Sequence, residues 1–265
     1  SGFGYSRSFS YSHAASLGSI FKVVTAYAAL QQQHDEYKAS NKSLKNLNPL
    51  TITDVVKRNR DVRPASWIVG YTSQGDPIPL IYKGGRILKS LRRNIGKIDI
   101  TDAIAYSSNT YFCLLAGDYL KDPNALNDAA RELGFGEKTG LPLAGEYKGN
   151  LPDDLEENPS GLYSYSCGQH TLVATPIQTA IMLGALANGG EVLHPLLIKY
   201  IAGSEPVRGG AKIFRKDNFS YQHFLNRVGV NYPLFLEAEK RLQKQELTTF
   251  SPSVRRLIPL PEPVK

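Results

Sequence analysis

Residues 16–33 read SLGSIFKVVTAYAALQQQ, and the reading of the fold turns on them. From Ser19 onward they predict one helix that is apolar nearly all round, which belongs in the middle of a domain rather than on its surface. Its opening holds Ser19 and Lys22, three residues apart and so on one helix face, where an amine can reach a hydroxyl. A serine hydroxyl is a weak nucleophile until a base takes its proton. A lysine can be that base once its pKa falls from ~10.4, which burial brings about by penalising the ammonium. Lys22, set in an apolar helix, has no obvious route to water. The first N–H groups of the helix can support a developing oxyanion. Serine is also an ordinary helix cap, so the pair alone leaves both readings open, although Ser19 is the one serine of the chain with a lysine three positions on.

The 265 residues suffice for one large domain or two small ones, with the composition of a soluble globular chain. No run approaches the ~20 apolar residues of a membrane span, and there is no signal peptide. The chain opens at Ser1 and its single methionine is Met182, from which a partial sequence is expected. Cys113 and Cys167 lie far apart, which excludes a disulfide framework, and they are expected to be buried small hydrophobes. The five histidines make no metal-binding spacing, G-x-S-x-G is absent, and no cofactor is expected. The formal charge is +7. Its densest source is YKGGRILKSLRRNIGK (82–97), where Lys83, Arg86, Lys89, Arg92, Arg93 and Lys97 occur without an acid. This is either a patch for an anionic surface or a solvated loop face. Nucleic-acid binding is not expected, since no aromatic-rich motif accompanies it.

Residues 34–97 are irregular and broken by Pro and Gly, and predict a loop-rich lobe with short helix or hairpin pieces. Asp99 or Thr101 can cap a short helix carrying Ile104 and Ala105 inward. A second helix is expected from Asn109 to about Leu120, and a third over 124–133. LGFGEKTGLPLAGEYKGNLP (133–152) reads as an ordered loop. In ATPIQTAIMLGALANGG (174–190), Thr175 caps, Pro176 takes the first helical position, Gln178 closes a capping box, and Gly189-Gly190 stop the helix. A strand is expected near 194–203 and an amphipathic helix over 234–247.

Ser107-Ser108-Asn109, in AIAYSSNTYF, forms an S-x-N triplet in a loop between two short helices. With GSIFK, the loop 133–152 and GQ…ATPIQ…ALANGG…P, it makes the chain resemble the transpeptidase domain of penicillin-binding proteins, most closely the class B branch, from about Leu17 to Pro195. The resemblance implies an α/β (α+β) fold, chiefly its helical part with an incomplete antiparallel sheet. It implies Ser19 as the acylated nucleophile and Lys22 as its base. Ser107 would relay a proton between Lys22 and the leaving amine, and Asn109 would hold the substrate amide and orient Lys22. It further implies peptidoglycan stem peptides and β-lactams as ligands. The whole protein would sit in a cell-wall synthesis complex, anchored in the cytoplasmic membrane by a segment outside this chain and facing the periplasm or the outside.

Lys138-Thr139-Gly140 spells the family's third motif, but it precedes the Gly-Gln and Thr-Pro region and lies among glycines and a proline. It is read as a decoy. Downstream of Pro195 there is no K-T-G, K-S-G or H-T-G, and the basic VRGGAK (207–212) does not fit. Residues 1–204 are therefore expected to be a partial transpeptidase domain and 205–265 a divergent or truncated C-terminal segment. The activity implied is cross-linking by a serine D,D-transpeptidase. The rivals are a β-lactam sensor or weakened relative lacking the third motif, a carboxypeptidase or β-lactamase, and a scaffold with a dead site. His170 is given a structural or substrate-edge role.

Overall fold

The computed structural model describes residues 8–60, 66–141, 143–195, 200–201, 248–249 and 254–257. The helix expected over 234–247 and the cluster at 207–212 lie outside them. In chain order the elements are α1 (Phe9–Ser12), a 3-10 turn (Gly18–Phe21), α2 (Lys22–Ala39), β1 (Ile52–Asp54), β2 (Lys57–Asn59), β3 (Ser66–Tyr71), β4 (Pro77–Pro79), β5 (Ile81–Tyr82), β6 (Gly85–Arg86) and β7 (Gly96–Ile98). They continue with α3 (Ile100–Ala105), α4 (Asn109–Leu114), a π-type turn (Leu115–Tyr119), α5 (Ala125–Glu132), α6 (Pro159–Ser166), α7 (Pro176–Ala187), β8 (Glu191–Leu193), β9 (Tyr200–Ile201), β10 (Thr248–Thr249) and β11 (Val254–Leu257). This mixture of helices and small antiparallel sheets is the expected α+β class. The chain divides into two compact units.

The larger unit comprises Ala15–Gly136 and Gly149–Ala174 among the described residues. Its axis is α2, whose first half is buried on every side through Val24, Thr25, Ala26, Tyr27, Ala28 and Ala29. That is how an all-apolar helix must sit. The helix runs on to Ala39, past the expected end at residue 33, with Gln33 buried in its second half and donating to the Asn48 carbonyl at 3.1 Å. Phe21 is fully buried, with its ring 4.7 Å from Tyr165 and 6.3 Å from Phe135. Burying such a ring stabilises the unit by about 1.5–3 kcal/mol and fixes the turn just ahead of α2.

The lobe of residues 34–97 is more regular than its sequence predicts. It holds a five-stranded antiparallel sheet in the order β2-β3-β1-β7, with β4 on the other side of β3. β1 pairs with β7 through Ile52↔Ile98, and Gly70 of β3 passes β1 so closely that a Cβ would meet the Thr53 carbonyl at 2.9 Å. Asp99 caps α3 by accepting from the Thr101 and Asp102 amides. Ile104 and Ala105 do not point inward as expected: Ile104 is 46% exposed, and the buried pair is Ile100 and Ala103. Ile100 and Ala103, three positions apart, share the face of this short helix that is turned inward. α6, not foreseen, starts at the N-cap Asn158 with Pro159 in the first turn.

The second unit takes in 8–14, 137–148 and 175–195 with the short strands that follow. α7 is as expected: the Thr175 hydroxyl accepts from the Gln178 amide while the Gln178 side chain accepts from the Thr175 amide. Gln178 also donates to the Glu137 and Lys148 carbonyls at 2.8 and 2.9 Å, which pins both ends of the loop. After the glycine stop, β8 pairs with β11 and β9 with β10.

Candidate active site

The turn Gly18–Phe21 presents Ser19 to solvent, and Lys22 opens α2 directly behind it with 3% of its surface exposed. Gly18 takes a left-handed backbone, φ +56°. Its amide donates to the Gly168 carbonyl at 2.8 Å, and the Ser16 hydroxyl donates to the same oxygen at 2.7 Å. Gly168 ends α6 in a Schellman arrangement, with its own amide on the Tyr165 carbonyl, the Gln169 amide on the Ser164 carbonyl, and φ +79°. A helix C-terminus thus buttresses the turn that carries Ser19.

The S-x-N triplet enters from the other side. Ser108 is the N-cap of α4, its hydroxyl accepting from the Tyr111 amide. Ser107 follows the C-cap of α3 in a Schellman stop, its amide on the Ile104 carbonyl and the Ser108 amide on the Ala103 carbonyl, which puts it at φ +55°, a conformation with a cost for a non-glycine residue. In that conformation both oxygens of Ser107 face Lys22. The Lys22 amine donates to the Ser107 carbonyl at 2.8 Å, to the Ser107 hydroxyl at 2.9 Å and to the Ser19 hydroxyl at 3.3 Å. The Ser107 hydroxyl donates to Ser19 at 3.0 Å. The amine also lies over the Phe112 ring, 5.7 Å from its centre.

Burial pushes the pKa of Lys22 down from its ordinary value, with Cys167 and Cys113 opposing. Both cysteines are buried, as expected, and burial holds the Cys113 thiol high and protonated. A lysine eased towards its neutral form keeps two N–H donors for Ser107 and gains a lone pair that can take the proton of Ser19.

Asn109 is held against the loop that runs before it. Its side chain donates to the Lys89 carbonyl at 2.8 Å and its amide to the Ser90 hydroxyl at 2.8 Å. Among the described hydrogen bonds, none joins it to Lys22. Asp54, which sequence reasoning passed over, lies buried beneath the triplet. Its carboxylate accepts from the Asn94 amide at 2.9 Å and from the Ser108 hydroxyl at 3.4 Å, and burial raises its pKa. No sequence signal pairs positions 54 and 108. A cavity of about 60 Å³ opens there, lined by Asp54, Trp67, Val69, Ser90, Arg93 and others.

His170 binds the Asp154 carboxylate at 2.7 Å, beside Asn158 on the same acid, an arrangement that serves the loop. In the second unit Lys138-Thr139-Gly140 lies in a loop and not on a strand. Thr139 is buried, and its amide and hydroxyl both donate to the Glu146 carboxylate, joined by the Gly140 amide at 3.3 Å. Such a triplet has no hydroxyl to offer a substrate. Among the described residues no group of side chains could hold a metal ion.

The family model for the penicillin binding protein transpeptidase domain matches residues 79–226. The match takes in Ser107 and Asn109, while Ser19 and Lys22 precede it. Over 111 residues the chain is 32% identical to the peptidoglycan D,D-transpeptidase MrdA of Salmonella typhimurium, covering 39% of this chain and 18% of that protein. The same protein of Acinetobacter baumannii is 32% identical over 119 residues, 42% of this chain and 17% of the relative. The chain therefore spans under a fifth of these relatives. Among solved structures, one chain from "Structural coordination of polymerization and crosslinking by a peptidoglycan synthase complex" superposes with a TM-score of 0.50 at 28% identity, covering 72% of this chain and 28% of that one.

Proposed function

The chain belongs to the penicillin-binding protein transpeptidase family, and we propose that it is the nucleophile-bearing part of a serine D,D-transpeptidase that cross-links peptidoglycan stem peptides. The observation that carries this reading is the meeting of Ser19, Lys22 and Ser107 within 3.3 Å of one another, across 88 positions of chain. Lys22 takes the proton of Ser19 as its oxygen attacks the D-Ala-D-Ala carbonyl carbon. The helix-opening amides, that of Ser19 among them, face the developing oxyanion. As the tetrahedral intermediate collapses, the C–N bond breaks, and Lys22 returns the proton through the Ser107 hydroxyl to the departing D-Ala amine. An amine of a neighbouring strand then attacks the Ser19 ester and the same protons run back. The short bonds of Ser107 to both other groups support its place as the relay.

Asn109 supports the site by fixing the wall at Lys89 and Ser90, and its remaining side-chain oxygen is the group assigned to the substrate amide. Residues 1–204 form the transpeptidase part and 205–265 a C-terminal segment. The whole protein is anchored in the cytoplasmic membrane, faces the periplasm or the outside, and works in a cell-wall synthesis complex. Among the described residues no helix is long and apolar enough to cross a membrane.

A second reading is a β-lactam sensor or weakened relative, which shares the acylation of Ser19 and keeps the acyl group. Supplying the acylated protein with an acceptor amine separates the two. A transpeptidase gives a cross-linked product, and a sensor retains the acyl group. Labelling of the full-length protein with fluorescent penicillin tests the shared step. Ser19→Ala abolishes the label if the reading is right, and a label that survives removes Ser19 from the mechanism.

A further inference from the structure

The loop between β6 and β7 carries Lys89, Arg92 and Arg93, all exposed, in a stretch without an acid. Two features separate it from an ordinary solvated basic loop. The first is its attachment. The Lys89 carbonyl accepts from the Asn109 side chain at 2.8 Å and the Ser90 hydroxyl accepts from the Asn109 amide at 2.8 Å. The Arg92 guanidinium lies over the ring of Tyr106, 5.8 Å from its centre, and Tyr106 is the residue before Ser107. Three contacts thus hold the loop along the rim of the triplet that faces Ser19.

The second feature is that its cations stand outside the described ion pairs, although the charge of Arg93 acts on the buried Asp54. Lys83, a few residues earlier, pairs with Asp118. Among the described residues, none of the ion pairs takes in Lys89, Arg92 or Arg93. Arg93 is steadied by donating from Nε to the Ser90 carbonyl at 3.1 Å, which leaves the outer edge of its guanidinium for another acceptor. The acid at this wall, Asp54, is 1% exposed, accepts from Asn94 and Ser108, and feels the charge of Arg93 without a described ion pair to it. Trp67, half exposed, lines the cavity next to Lys89 and Arg93 and offers apolar surface to whatever chain lies there.

We propose that Lys89, Arg92 and Arg93 form a carboxylate-recognising subsite beside the nucleophile, which selects peptide substrates bearing an acidic residue upstream of the scissile D-Ala-D-Ala bond. This rests on the transpeptidase reading above. Planar guanidinium groups suit a carboxylate, which they bind through two parallel N–H donors. The loop is rigidly tied to Asn109, so a peptide held there by its acid is also aligned for attack by Ser19.

The test uses N-acetyl-L-glutamyl-D-Ala-D-lactate and its glutaminyl counterpart, which differ only in the charge of one side chain. Each competes with fluorescent penicillin for Ser19 of the full-length protein. The glutamyl ester should compete about tenfold better, as expected of three exposed ion contacts of ordinary strength acting together. That preference should shrink with added salt and fall to within about twofold in Lys89→Gln/Arg92→Gln/Arg93→Gln. Single variants and the salt series give the same reading if the triple variant does not fold. Equal competition by the two esters, including none by either, overturns the proposal. So does equal competition accompanied by loss of binding to phosphatidylglycerol vesicles in the triple variant, which assigns the cations to a membrane surface. Absence of penicillin label at Ser19 is a separate result, and it strikes the transpeptidase reading instead.

Discussion

Replacing Gly168 by alanine should disable Ser19 without touching any residue that handles a proton. A Cβ at this position would lie 1.9 Å from the Gly18 carbonyl oxygen, 2.7 Å from the Gly18 carbonyl carbon and 2.8 Å from Cβ of Phe21. These are backbone atoms and the root of a fully buried ring, so no flexible side-chain end can give way. A carbon–oxygen contact relaxes only near 3.3 Å, so the two segments must part by more than about 1 Å. Alanine also adds about 1–2 kcal/mol for the left-handed backbone at φ +79°. The Gly18 side of the contact is the turn carrying Ser19, and a misplacement of about 1 Å at a reacting group costs on the order of 10²-fold in rate. Stopped-flow acylation by a fluorescent penicillin, with thermal melting alongside, measures both parts. A hundredfold slower acylation in a folded variant is expected. A rate within threefold of the parent, with the fold retained, would refute the claim that the α6 terminus positions the nucleophile turn.

In the role proposed for it Lys22 reacts as the free base, and burial lowers its pKa from 10.5. The acylation rate should therefore rise with pH to a midpoint below 10.5, and a midpoint at or above that value in a pH–rate profile counts against it as the base. Lys138→Ala should leave acylation within about twofold, since Lys138 is exposed in a loop whose Thr139 turns inward to Glu146. A loss like that of Lys22→Ala would show that the loop triplet is the third motif after all. Asp54→Ala leaves the Asn94 amide and Ser108 hydroxyl without their acceptor, and should cost about 1–3 kcal/mol in urea denaturation. Because burial raises the Asp54 pKa, its contribution to stability falls as pH rises through the folded-state value. The variant should lose that part of the stability–pH profile, and an unchanged profile would contradict the burial.

The contact of Lys22 with Ser19 was legible because both side chains sit within one helical turn, where spacing alone places them on one face. The capping box of α7 was legible for the same reason: Thr175, Pro176 and Gln178 act on their own neighbours. Asp54 is different. It meets Ser108 only because β1 and α4 are brought together by tertiary packing, and nothing local marks it. The sheet of β1, β2, β3, β4 and β7 escaped because its strands are three to six residues long, and β4 begins and ends on a proline, so no alternation has room to develop. α6 carried a readable signal in Asn158-Pro159, a cap followed by a proline in the first turn, that was passed over. The side chain of Asn109 turned to Lys89 because the loop 89–93 lies against the triplet, a contact across 20 positions that no motif encodes.

Intact-mass and peptide-mapping spectrometry of the full-length protein after exposure to benzylpenicillin tests the central claim most directly. A ring-opened penicillin, adding its whole mass, should appear on the peptide containing Ser19 and be absent from the Ser19→Ala variant. An adduct on any other residue, or none at a penicillin excess that labels a known transpeptidase, would contradict it.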